Sequence, residues 1–210
     1  VVSDVMMPIM NGITMCKMLK EDVRTSHIPI ILLTAKDSLQ DKEEGYQVGA
    51  DSYLTKPFSA TLLHSRINNL LESRKRLAER LNTNTPHHNM DEKRALLADS
   101  LNKLDNEFLE KINRLIEDRL SSEKIDIGYL ADNMCMSKST LYRKMKALTG
   151  LSTNEYVRKI KMQYAERLLL EGRYNVSEIA FRVGINSVVY FRQCFKEEFG
   201  VLPSDYLKQP

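Results

Sequence analysis

Two stretches in the C-terminal half repeat one plan, and that repeat limits what the chain can become. Each has a short segment with one apolar face, then a turn, then a second segment carrying polar and basic residues. The first runs Ile127 to Met134 and Ser137 to Leu148, and the second runs Ser177 to Val183 and Ser187 to Phe199. Between them lies one long segment of helical spacing, about Ser152 to Glu171. Ile179, Ala180, Val183, Ile185, Phe191, Phe195 and Phe199 recur at spacings that pack two short helices at an angle and leave the far face of the second free. Ala180 is small where such helices approach closely. From Asp91 onward no strand pattern occurs, and glycines at 128, 150, 172, 184 and 200 mark expected breaks. An all-α unit with two helix-turn-helix motifs is predicted.

The first 58 residues read differently. Short β-rich runs alternate with amphipathic stretches, the pattern of parallel α/β units. Val1 to Val5 is a strand leading through Asn11 and Gly12 into a helix that ends near Asp22. Ile28 to Thr34 reads as a strand buried on both faces. A helix from about Ser38 to Val48 follows, then a third strand at Ser52 to Thr55. Ser59 suits an N-cap, and Leu62, Leu63, Ile67, Leu70, Leu71, Leu77 and Leu81 continue at helical spacing in one long helix. The run NTNTPHHN, Asn82 to Asn89, breaks all periodicity and marks the boundary. His87 and His88 are adjacent and cannot share a helical face, so no metal site is expected there. Three segments are expected: 1–80, a linker at 81–104, and 105–210.

With 42% hydrophobic and 28% charged residues the chain has the make-up of a globular protein, which argues against disorder over most of it. No apolar run reaches the ~18 residues that span a bilayer, and no secretory signal heads the chain. Cys16, Cys135 and Cys194 are far apart with no paired spacing, so neither a disulfide framework nor a zinc cluster is indicated. A cytoplasmic location without membrane contact fits best. The chain opens on Val within a strand, so we expect its natural start to lie upstream. Charge is uneven: residues 121–210 hold 14 basic against 10 acidic side chains, and Ser137 to Lys161 hold seven basic against Glu155 alone. Such a local excess can neutralise phosphates.

SDVMMPIMNG, then ILLTA, then YLTKPF stand in the order and at the strand ends found in response regulators, and residues 1–80 resemble the receiver domain of that family. The resemblance implies a flavodoxin-like α/β fold, here incomplete with three parallel strands. It makes Asp4 the phosphoryl acceptor, Thr34 and Lys56 its hydroxyl and lysine partners, and Tyr53 the aromatic switch. The chemistry suits those types: a carboxylate nucleophile, an ammonium to offset phosphoryl charge, and a hydroxyl to bond a phosphoryl oxygen. Lys56-Pro57 matches a bond usually cis in the family. Mg²⁺ would be held by Asp4 and the Met6 carbonyl together with an acidic pair that precedes this chain. Without that pair, inefficient phosphorylation is expected. The first strand would also lack a neighbour on one side, which favours homodimer contacts.

LADNMCMSKSTLYRKMKALTGLSTNEYV, KMQYAERLL and VSEIAFRVGINSVVYFRQCFKEEFGVLPSDY resemble the DNA-binding domain of the AraC/XylS family, whose P-x-x-Y ending matches Pro203 and Tyr206. The resemblance implies double-stranded DNA as partner. On the first recognition helix Ser139, Tyr142 and Arg143 are expected to read bases, with Ser137, Lys138 and Lys146 nearer phosphates. On the second, Ser187 is expected at the DNA, and Val188, Val189, Arg192 and Gln193 are expected to face outward toward it. The implied protein is a two-component transcription regulator with a histidine kinase as phosphodonor. The order also resembles the tail of hybrid sensors that carry kinase, receiver and DNA-binding domain on one polypeptide anchored in the inner membrane. A free-standing response regulator and a phosphorylation-independent interaction module are the alternatives. Beyond Asp4, Thr34 and Lys56 no nucleophile and base pair occurs, so these residues are not expected to form an enzyme.

Overall fold

The computed structural model describes residues 1–35, 48–82, 102–121 and 125–206. Three strands, β1 (Val2–Asp4), β2 (Ile31–Thr34) and β3 (Ser52–Thr55), form one parallel sheet in the order β1-β2-β3. Val2 stands opposite Ile31 and Leu32 opposite Tyr53. Helix α1 (Gly12–Glu21) crosses between β1 and β2, its N-cap Asn11 accepting the amide of Thr14. Cys16, Ile30, Leu32, Ala50 and Tyr53 make the core of this part. β2 is shorter than the expected Ile28 to Thr34. The reason is local: the Ile28 amide bonds back to Thr25, Pro29 has no N–H, and the Ile30 amide donates to the Asp51 carboxylate at 2.9 Å.

Helix α2 (Ala60–Asn82) begins where the Ser59 hydroxyl accepts the Leu62 amide at 3.1 Å, the expected N-cap. Arg74 of α2 meets Asp51 at 3.3 Å, and Lys20 of α1 meets the same carboxylate at 2.7 Å, so one acid ties both helices to the end of the sheet. The helix expected from about Ser38 to Val48, save Val48 itself, and the segment 83–89, with His87 and His88, lie outside the described residues.

The rest is helical: α3 (Lys103–Glu117), α4 (Ile127–Asn133), α5 (Lys138–Thr149), α6 (Thr153–Glu171), α7 (Val176–Arg182), α8 (Val188–Phe199) and α9 (Pro203–Tyr206). Side-chain caps punctuate them. Ser137, Ser152 and Ser187 cap α5, α6 and α8 as N-caps, and α6 and α7 have complete capping boxes closed by Glu155 and Glu178. Gly150, Gly172 and Gly200 end α5, α6 and α8 with left-handed backbones. Gly128 is a correction to the reading of glycines as breaks. It lies in the first turn of α4, where Asp126 caps its amide and an added Cβ would come within 2.8 Å of that carboxylate.

Each helix-turn-helix has its own core. Phe108, Ile112, Leu130, Leu141 and Met145 fill the first, and Met162, Ala180, Val183, Phe191 and Phe195 the second. α6 borders both, with Val157 and Ile160 in one and Ala165 and Leu169 in the other. No helix among the described residues is long and apolar enough to cross a membrane.

Candidate nucleic-acid interface and phospho-acceptor site

α5 places its apolar residues Leu141, Met145 and Leu148 inward, so the remaining face turns to solvent. Ser139, Tyr142, Arg143 and Lys146 all stand exposed on that face, with Tyr142 at 49%. The Arg143 Nε donates to the Ser139 carbonyl at 3.3 Å, which aims the guanidinium along the helix. Ser137 is also exposed, but its hydroxyl accepts the Thr140 amide at 3.1 Å as the N-cap. Lys138 is exposed at the start of the helix.

On α8 the exposed residues include Val189, at 77%, with Tyr190, Arg192 and Gln193. Ser187 caps the helix through the Tyr190 amide at 3.3 Å. Gln193 donates to Glu197 one turn on at 3.1 Å. Val188 corrects the expectation of an outward residue: it is half-buried and packs against the second core. Tyr190 was not singled out in the sequence. It is 49% exposed in the first turn of α8 beside Val189, and with Arg158 of α6 it lines a shallow pocket.

The basic stretch Ser137 to Lys161 is less available to phosphates than its composition suggests. Lys144, Lys159 and Lys161 are buried. Burial holds all three ammonium groups below the ordinary lysine range, with Asp105 opposing this at Lys144 and Glu198 at Lys159. Lys159 meets Glu198 at 3.6 Å, Arg158 meets Glu197 at 3.8 Å, and Lys161 donates to the Gly184 carbonyl at 3.4 Å. These α6 cations hold α8 and its turn. The sequence carried a signal for Lys144: it stands three residues after Leu141 and four before Leu148, on the apolar face.

At the other end of the chain, Asp4 and Lys56 meet across the carboxyl edge of the sheet, Lys56 Nζ at 2.7 Å from Asp4 Oδ1, both half-exposed. Thr34 is buried at the end of β2, and Tyr53 is buried in β3 with its ring in the sheet core. The Lys56-Pro57 bond is cis. Gly12 explains the tight turn after the acid, since a Cβ there would stand 2.2 Å from the Asp4 carbonyl oxygen. The sheet thus brings carboxylate, lysine and threonine to the carboxyl ends of its three strands, the end at which open α/β sheets place their ligands.

Mg²⁺ does not fit these residues alone. Asp4 already pairs with Lys56, and no group of three His, Cys, Asp or Glu among the described residues is arranged to hold a metal. The Met6 carbonyl would add one oxygen, still short of what an octahedral ion needs.

The model of the response regulator receiver domain matches residues 1–68, and that of a helix-turn-helix domain matches residues 130–209. A protein of Formosa agariphila named histidine kinase P4 is 37% identical over 206 residues, covering 98% of this chain and 14% of its own length. Heme response regulator HssR of Staphylococcus saprophyticus is 51% identical over 69 residues, covering 33% of this chain and 30% of its own. The chain therefore spans less than a third of either relative. The solved C-terminal domain of AraT, a response regulator from Geobacillus stearothermophilus, is similar at 30% identity over 48% of this chain and 84% of that one, with a TM-score of 0.44. Residues 1–68 carry a response regulator receiver domain and residues 130–209 a helix-turn-helix domain of the AraC type, and this chain joins the two.

Proposed function

We propose that the chain is the DNA-binding output end of a two-component phosphorelay, in which the state of Asp4 governs how α5 and α8 engage duplex DNA. The observation that carries this is the pair of N-capped helices, each with one face sunk in its own core and the other face open. Ser139, Tyr142 and Arg143 on α5, and Val189, Arg192 and Gln193 on α8, are the base readers in this reading. Ser137, Lys138, Lys146 and Ser187 sit toward the phosphates. Arg143 suits a bidentate pair with guanine, and Val189 suits a thymine methyl.

In the phosphorelay, Asp4 takes the phosphoryl group from a histidine kinase, Lys56 shifts from pairing the carboxylate to pairing the phosphoryl oxygens, and Thr34 supplies a hydroxyl to the same group. The name of the Formosa relative supports a kinase on the same polypeptide. A cytoplasmic site of action follows from DNA as partner. The segments 1–80, 81–104 and 105–210 serve as receiver, linker and DNA-binding domain.

Duplex binding measured across a salt series tests the reading. Tight binding should weaken steeply with salt, and Lys146→Ala should lower the log–log slope by about 0.9, the share of one phosphate contact. Binding that ignores salt, or a slope unchanged in Lys146→Ala, overturns the assignment.

A further inference from the structure

A buried ion pair joins the receiver segment to the first helix-turn-helix unit. Lys144, on the inner face of α5, is fully buried, and its ammonium has three N–H groups. They find three acceptors: Asp105 Oδ1 at 2.5 Å, the Val23 carbonyl at 2.5 Å and Ser26 Oγ at 2.8 Å. Ser26 Oγ in turn donates to Asp105 Oδ1 at 2.7 Å. Asn102, the N-cap of α3, donates both to the Ser26 carbonyl at 3.2 Å and to Asp105 Oδ2 at 2.9 Å. The Phe108 ring lies 4.8 Å from the ammonium. The Val23 side chain packs on the first helical core, and α2 packs along α5.

Lys144 and Asp105 both belong to the helical part, yet the pair is closed off from water by a loop that lies between α1 and β2. Two of the three ammonium acceptors come from that loop. Displacing it by about an ångström would stretch those hydrogen bonds past useful length and leave a buried cation short of partners, which is costly where water is excluded. Apolar contacts tolerate sliding, whereas a satisfied polar network does not, so this one defines a single register. It does so on the residue next to Arg143. The ion pairs of α8 run instead to α6, through Lys159 and Arg158.

We infer that residues 22–27 and α2 form an intramolecular docking surface for the first helix-turn-helix unit, with Ser26 and Lys144 as positioning residues that fix how α5 is presented to DNA. The receiver segment thereby acts on base reading by α5 and leaves reading by α8 untouched. This rests on the DNA-binding reading above, but the docking itself has a test free of DNA.

Amine acylation of the full 210-residue chain, read by peptide mass spectrometry, should label Lys144 about tenfold more slowly than Lys138 and Lys146. In Ser26→Lys, which sets a second cation against the ammonium, Lys144 should approach their rate. Hydrogen exchange across β2 checks that the sheet survives, and if it does not, Ser26→Ala replaces it with an expected acceleration of about threefold. Lys144 labelling as fast as Lys146 in the wild-type chain overturns the docking.

The second arm uses a duplex recovered from a random pool by the wild-type chain. The effect of Ser26→Lys on its affinity should depart by about threefold or more from multiplying with Arg143→Ala, and should simply multiply with Arg192→Ala. Coupling to both arginines, or to neither, rejects the selective action on α5. A wild-type chain that binds no duplex sinks the DNA reading and this second arm with it, while the labelling result still decides the docking.

Discussion

Cys135 holds a left-handed backbone, φ 53°, in the turn of the first helix-turn-helix, where the second has Gly184 at φ 65°. The two turns are built alike: Met136 bonds back to the Ala131 carbonyl at 3.0 Å and Ile185 to Ala180 at 2.9 Å. A Cβ in that region costs about 1 to 2 kcal/mol, partly offset by the greater freedom of glycine when unfolded. Cys135→Gly should therefore stabilise the protein by about 0.5 to 1 kcal/mol in a urea melt. His27 makes a second prediction. Burial, with Lys144 nearby, pushes its imidazole down to about 4. The neutral ring is the folded form, so the unfolded chain binds the extra proton between pH 6.5 and 4 and stability falls as pH drops through that window. The loss amounts to about 3 kcal/mol. Denaturant melts at pH 7.5 and 4.5 should show it, and His27→Leu should flatten the difference. Equal slopes in both proteins would locate the pH response elsewhere.

At the scale of elements, several helix limits are readable because their signals are local. Ser137, Ser152 and Ser187 cap the helices that the periodicity announced, and Gly150, Gly172 and Gly200 close them. β2 was overread, since periodicity cannot tell that the Ile30 amide is taken by Asp51, twenty-one residues on.

For the whole molecule, two reading helices bordered by one helix, α6, predict contact with successive major grooves about 34 Å apart. Hydroxyl-radical footprinting should show two protected windows at that separation on one face of the duplex. Arg143→Ala should cost about 1 to 3 kcal/mol and relax preference at one base position within a single window. Selection from a randomised duplex pool checks this, and an unaltered preference removes Arg143 from readout.

The sequence by itself determined that two helix-turn-helix units follow an α/β part with three short strands, and that Asp4, Thr34 and Lys56 stand at or next to strand ends. Each of these depends on spacing or on a cap within a few residues. Only the tertiary structure decided which groups the Lys144 ammonium meets, that Val188 packs against the second core, and that Lys159 and Lys161 hold α8 and its turn. What packs against a side chain is set by residues far along the chain: Ser26 is 118 positions from Lys144, and no local pattern encodes that meeting.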